Sequence, residues 1–284
     1  MWNQFKTLVL LASISGILVV VGGVFGGRMG MILGLGLGAF MNLVSWWKSD
    51  ALVMRMTGAK EVPLGSMPEL HSIVEELALR AGIPKPKVLY VDDGTPNAFA
   101  TGRSPRHAAV AVTRGLVQTL DERQLRGVLA HEFAHIIQRD TLISAITATI
   151  AAAITLLANL AQWAAIFGGG RDDDQHPLAM IATALLAPVA AMLVQMAISR
   201  TREYRADAVG AELCQDPLAL ASALELIDGV ANQRASRGLV VNQPSVSHMM
   251  ILGLNFGGLS RFFATHPPMH LRIQKLRAMG GRFS

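Results

Sequence analysis

A chain of 284 residues that is 51% hydrophobic and only 16% charged is too poor in charge for an ordinary water-soluble domain, where about 25% is usual. Its net charge of +5 comes without any RNA- or DNA-binding motif, so nucleic acid is excluded as a partner and the basic excess needs another explanation. The single cysteine, Cys214, excludes an internal disulfide and a cysteine-built zinc site, and reads as a small buried hydrophobe.

The charge deficit is concentrated in four uncharged runs: Thr7–Gly27, Met29–Trp47, Thr141–Gly170 and Pro177–Ser199. A bilayer core takes about 20 helical residues, so each run is long enough to span. Only Arg28 separates the first two, and Gly22-Gly23-Val24-Phe25-Gly26-Gly27 reads as the tip of a helical hairpin. Taken alone, Thr7–Gly27 behind Lys6 also fits a secretory signal, and the Ala- and Thr-rich later runs also fit buried helices of a large soluble core.

Four spans divide the chain into a membrane hairpin at 1–47 (spans about 7–27 and 29–47), a soluble part at 48–140, a second hairpin at 141–199 (spans about 141–167 and 177–199) and a C-terminal soluble part at 200–284. All of the 25 Lys+Arg except Arg28 and Arg171 then fall on one side, with Lys48, Arg55, Arg139, Arg200, Arg202 and Arg205 close to the span ends. The positive-inside rule makes that side cytoplasmic. The expected topology thus places both termini and both soluble parts on the cytoplasmic face of a membrane, and the net charge reflects orientation.

Within 48–140 the pattern predicts a helix over Pro68–Ala81, a stiff Pro84-Lys85-Pro86 connector, and strands at Lys87–Val91 and His107–Thr113 with Asp92–Pro96 as a turn between them. Thr119-Leu120-Asp121-Glu122 then offers a cap and early acids for a further helix. Leu125, Val128, Leu129, Phe133, Ile136 and Ile137 give that helix an apolar face. It carries His131-Glu132-Phe133-Ala134-His135, the H-E-x-x-H pattern. Residues four apart share a helix face, so both imidazoles can bind one ion while Glu132 takes a proton from a metal-bound water. An ordinary helix with two incidental histidines is the plain alternative. Residues 200–284 read as helical, with a loop near Gln243-Pro244 and a last helix over Met269–Met279.

Catalytic zinc takes three protein ligands and keeps one position open. The remaining histidines are His71, His107, His176, His248, His266 and His270, of which His176 falls on the far side of the membrane. Glu203 is the best candidate, with Asp207 one turn further on the same face, placed to accept an N–H from a ligating histidine. The same segment, with Arg200, Arg202 and Arg205, also reads as a solvated helix of Arg–acid pairs. Topology favours the site, because an even number of crossings returns Glu203 to the face where the H-E-x-x-H helix meets the membrane.

Four elements, Asn97-Ala98-Phe99-Ala100-Thr101-Gly102, His131–His135, Ser199–Gly210 and Thr265-His266-Pro267-Pro268, closely resemble the HtpX family of membrane zinc metalloproteases, relatives of the CaaX prenyl-protease endopeptidases. The resemblance covers essentially the whole chain. It implies an α+β, mostly helical, zincin-like protease domain with a small β-sheet, fused to four transmembrane helices. One Zn2+ per chain would be held by His131, His135 and Glu203, with Glu132 as general base. Asn97, Ala98, Phe99 and Ala100 would form a substrate-binding edge strand, and His266 would face the cleft and donate to the developing oxyanion. Read without the family, the first stretch is a plain turn after Pro96 and His266 an incidental loop histidine; His270 and Arg272 have weaker claims. The family implies protein or peptide substrates, unfolded or damaged membrane proteins cleaved under stress at the cytoplasmic face of the lipid bilayer, here a bacterial inner membrane. A zinc hydrolase of a non-peptide bond and a non-catalytic membrane scaffold are the alternatives. A prenyl-protein endopeptidase would need more than four spans.

Overall fold

The computed structural model describes residues 2–47, 49–144, 200–236 and 267–281. Helix α1 (Trp2–Trp47) is interrupted at Gly27, whose φ of 54° and ψ of −141° reverse the chain. That left-handed φ suits a residue without a Cβ. The two arms pack on each other through small residues: a methyl group on Gly22 would strike the Gly30 carbonyl, one on Gly34 would strike Leu18, and one on Gly38 would strike Ser15. Asn42 Nδ2 donates across the pair to Ser15 Oγ at 3.1 Å. Close approach through small residues with a polar contact between them is how helices associate in lipid. Met29, Ile32, Leu33, Phe40 and Leu43 point outward, and Gly26–Val44 is long and apolar enough to cross a bilayer. Residues 2–47 thus form a helical hairpin with its turn at the last glycine of the Gly-rich run, and of the two spans expected there one stretch, Gly26–Val44, has the length and apolarity to cross. Of the segment expected to form a second hairpin, residues 141–144 are helical and 145–199 lie outside the described residues.

Helix α2 (Ser49–Thr57) leads from the hairpin to a four-stranded sheet of β1 (Lys60–Glu61), β2 (Lys87–Val91), β3 (Ala98–Ser104) and β4 (His107–Thr113) in the order β1-β2-β4-β3. The strands read at Lys87–Val91 and His107–Thr113 form over those residues, but the turn at Asp92–Pro96 leads into β3 and not directly into β4. Because β3 runs back antiparallel to β4, β2 and β4 are parallel neighbours. One face of the sheet packs Leu89, Phe99 and Ala111 against Val53 of α2. The other packs Val88, Val110 and Val112 against helices α3 (Pro68–Ala81) and α5 (Glu122–Ile137).

Helix α5 follows the short α4 (Arg114–Thr119) and is the central element. It begins with a capping box, Asp121 accepting from the Gln124 backbone while the Gln124 side chain returns to Asp121. Apolar residues then bury it on several sides: Val128, Leu129 and Phe133 are fully enclosed. Helices α6 (Arg200–Cys214), α7 (Pro217–Ser236) and α8 (Met269–Gly280) complete the described chain. Both α6 and α7 press on α5 at glycines. A Cβ at Gly210 of α6 would lie 2.9 Å from the His131 nitrogen and Cα, and one at Gly127 would lie 2.7 Å from the Leu220 nitrogen. Those two positions set how closely the helices around His131 can approach.

Candidate metal centre

Helix α5 turns His131 and His135 toward α6, where Glu203 meets them. The two Nε2 atoms are 3.2 Å apart, with the rings at 90°. Glu203 Oε2 is 3.7 Å from His131 Nε2, and Oε1 is 3.6 Å from His135 Nε2. Donors bonded to tetrahedral zinc at about 2.0–2.2 Å lie about 3.3–3.6 Å from one another. Two imidazole nitrogens and a carboxylate oxygen at these separations therefore fit a zinc ion in both spacing and chemistry. Among the described residues, His131, His135 and Glu203 are the set of potential ligands that converges in this way.

The other nitrogen of each ring is also held. His131 Nδ1 lies 2.9 Å from Asp207 Oδ1, the arrangement read from the four-residue spacing of Glu203 and Asp207. Asp207 in turn accepts from Arg272 Nε at 2.9 Å and Nη2 at 2.6 Å. Arg272, on α8, is fully buried; its Nη2 is within 3.5 Å of both His131 nitrogens and its Nη1 is 3.8 Å from Glu203 Oε2. His135 Nδ1 is held by Asp140 Oδ2 at 3.3 Å, and Arg202 Nη1 is 3.7 Å from that carboxylate. Asp140 escaped the sequence reading and Arg272 received only a weak claim, although each completes one histidine's surroundings. Asp140 had one signal, an acid just past the helix carrying the metal pair. Arg139 adopts φ 59° there, and this turns the chain so that Asp140 folds back on His135. Arg272 had none beyond being a cation between Leu271 and Ile273.

Charge in this enclosed space shifts the titrations. Burial pushes the Glu132 carboxyl up, opposed by the nearby His131 and His135 and by the Ala100 backbone N–H that it accepts. Burial also works against the Asp207 carboxylate, but Arg272 overrides it and holds Asp207 down at about 2. Burial disfavours a charged His131, yet hydrogen bonds to Asp207 and Glu203 push it up to about 9 when no metal competes.

Strand β3 is the free edge of the sheet and runs beside α5. Thr113 N donates to Asn97 O at 3.0 Å, so residues 97, 99 and 101 turn their backbone groups toward β4. The groups of Ala98, Ala100 and Gly102 consequently face outward. Ala100 N–H reaches Glu132, and Gly102 O accepts from Thr141 Oγ1 at 2.8 Å. Of the four residues expected on the substrate edge, Ala98 and Ala100 turn their backbone groups away from β4, both within a buried stretch of β3. Asn97 bonds to Thr113, and the Phe99 side chain lies in the core under α2. His266 lies outside the described residues, and Pro267-Pro268 leads into α8. His71 and His107 lie elsewhere, against the Pro63 carbonyl and Ser104 Oγ respectively.

Comparison with known proteins places this geometry. The description "Peptidase family M48" matches residues 66–280. The protein named "Protease HtpX homolog" from Polynucleobacter necessarius subsp. necessarius (strain STIR1) is 48% identical over 283 residues, covering 98% of this chain and 96% of its own. That from Ralstonia pickettii (strain 12J) is 48% identical over 287 residues, covering 98% and 97%. The Burkholderia mallei (strain SAVP1) relative is 47% identical over the full length of both chains. Among solved structures, Ste24p from S. mikatae superimposes with a TM-score of 0.52 at 21% identity, covering 96% of this chain and 65% of that one. At that identity the likeness is one of fold.

Proposed function

The chain belongs to peptidase family M48 and to the HtpX proteases within it, and from that premise we propose that this metalloprotease is a zinc endopeptidase of the cytoplasmic membrane face that removes unfolded or damaged membrane proteins. The observation that carries the reading is a His–His–Glu donor set beside a buried glutamate that sits against the edge strand of the sheet. His131, His135 and Glu203 would hold the zinc and Glu132 would serve as general base. When bound, zinc supplies a Lewis acid that acidifies a water and polarises the scissile carbonyl.

The chain's own groups do the rest. Asp207 and Asp140 hold the two imidazoles with Nε2 turned to the shared point. Glu132, whose burial favours proton uptake, accepts the proton of the attacking water and passes it to the leaving amine. An extended peptide laid along β3 finds the outward N–H and C=O of Ala98 and the N–H of Ala100, main-chain partners that select shape over side chain. Pairing at Ala100 takes that N–H away from Glu132 and frees the carboxylate as substrate arrives. His266, by the resemblance, would donate to the developing oxyanion.

Four spans, with the second hairpin at 141–199, belong to the same reading; a reporter fused at Asp173 would be external, and a cytoplasmic signal there would remove that hairpin while leaving the metal centre. The main test is degradation of an unfolded protein by detergent-purified wild type and Glu132→Gln, with bound zinc counted. Cleavage by the wild type alone, at equal zinc, supports the endopeptidase. Equal zinc with cleavage by neither would leave the ligands and remove peptide hydrolysis.

A further inference from the structure

The turn between β3 and β4 is oddly charged. From Ala98 to Thr113 the chain contains no acidic residue, while Arg103, Arg106 and His107 cluster at the turn. Arg106 and His107 are exposed, and neither Arg103 nor Arg106 meets a carboxylate among the described residues. Elsewhere on the same domain several cations are paired, among them Arg80 with Glu76, Lys85 with Glu75, Arg114 with Asp92 and Arg126 with Glu122. The basic tip has no such pair among the described residues.

Its position supplies the reason. The pairing shifts register between Gly102 and Ser104, so Arg103 is the extra residue of a bulge, and bulges re-aim side chains. Gly102, at φ 121° and with no room for a Cβ against the His107 carbonyl, permits it. The re-aimed guanidinium carbon stands 4.9 Å from the centre of the Trp47 ring. Trp47 ends α1, three residues beyond Gly26–Val44, the stretch long and apolar enough to cross a bilayer, and is 62% exposed. Tryptophan at a span end marks headgroup depth. With α1 in a bilayer, the basic tip would lie level with the phosphates of its surface.

We propose that the β3–β4 turn, through Arg103 and Arg106, binds the phosphate groups of anionic phospholipids and so holds the substrate edge β3 at the membrane surface. This rests on α1 being a membrane hairpin. Guanidinium groups pair with phosphate oxygens in bidentate fashion, and stacking on Trp47 pre-orders Arg103 for it. Ala100, where β3 meets Glu132, is three strand residues from Arg103, about 10 Å. The cleft would then open just above the headgroups, within reach of polypeptide that has slipped out of the bilayer or failed to enter it.

The test uses the full-length protein in a neutral detergent, with thermal unfolding followed as phosphatidylglycerol is added. Phosphatidylcholine and inorganic phosphate serve as parallel probes. Phosphatidylglycerol should raise the melting temperature at low salt, phosphatidylcholine should not, and the effect should fade toward 0.5 M salt as screening grows. Each basic group near anionic lipid contributes about fivefold in binding, so R103Q/R106Q should shift half-saturation about thirtyfold. R103K/R106K, keeping the charges, should retain most of it, which separates loss of the site from loss of fold. Equal response to both lipids, a full response to inorganic phosphate, or an unchanged R103Q/R106Q titration would overturn the proposal. None of these readouts requires hydrolysis, so they stand apart from the protease reading. A protein that stays monodisperse without detergent would instead remove the membrane premise.

Discussion

The two histidines of the centre are four residues apart on one helix, yet they sit in different surroundings. His131 is 2% exposed in its side chain and is backed by Asp207, which Arg272 grips with two hydrogen bonds. His135 is 17% exposed and is backed by Asp140 at a longer 3.3 Å, with Arg202 only loosely engaged. The inner arm is anchored by α6 and α8, the outer by the turn that leaves α5. One ligand is thus set by tertiary packing and the other mainly by local chain geometry. Glu132 lies between them and belongs to neither arm.

That separation gives the largest expected effect. Glu132→Gln keeps the shape and both imidazoles, so zinc content should stay near one per chain while turnover falls by about 10³-fold. Metal analysis beside a peptide-cleavage assay checks this. A variant that lost its zinc as well would tie Glu132 to the arms and blur the comparison.

Next comes the inner anchor. Arg272→Met leaves Asp207 buried without its cation, and such a break costs about 3–5 kcal/mol. Denaturant unfolding of the zinc-free protein reads it directly. Adding Asp207→Asn should recover much of the loss, because the stranded charge then disappears; a double variant no better than Arg272→Met would mean that Arg272 acts by packing alone. Gly210→Ala should cost less, about 1–3 kcal/mol, since a Cβ 2.9 Å from the His131 backbone forces α6 away from α5. It should also loosen zinc, because Glu203 rides on the helix that moves.

The inner arm also carries a pH signature. Metal-free His131 sits at about 9 against an ordinary value near 6.5. A group raised on folding stabilises the protein below its unfolded pKa and loses that contribution as pH climbs toward 9. Asp207, held at about 2, contributes above its unfolded value near 4 and loses it as pH falls toward 2. The stripped protein should therefore melt highest between about pH 4 and 6.5. Zinc should follow the opposite slope, its affinity rising about tenfold per unit toward pH 9, because binding must release the His131 proton. Melting curves with and without chelator across this range check both directions.

The outer and inner arms also differ in how far the sequence revealed them. His131, Glu132 and His135 were legible because helical period fixes their relation, and Asp207 because it stands one turn from Glu203. The hairpin, α3, β2, β4, α5 and the last helix were legible for the same reason, each being a local pattern with its own caps, turns or period. Arg272 was not, since its meaning depends on α8 folding across α6, and nothing in Leu271-Arg272-Ile273 encodes that contact. Strand β3 emerged from the family resemblance alone: Ala98-Phe99-Ala100-Thr101-Gly102 is buried on both faces, so it lacks the alternation that marks a half-exposed strand. Asp140 failed for a smaller reason, a left-handed Arg139 that no period announces.

Asp140 is accordingly the finest probe of the difference between the arms. Its carboxylate fixes the His135 tautomer and ring angle, and an amide can still accept from Nδ1–H while carrying no charge. Asp140→Asn should therefore weaken zinc by about tenfold, at the lower end of what such supporting groups contribute. Asp207→Asn should approach the upper end, about a hundredfold, because it also strands Arg272 beside the ion with nothing to offset its positive charge. Competition for zinc against a chromophoric chelator measures both. Equal losses would mean that the two arms are energetically alike and that the closer grip on His131 serves folding rather than the metal.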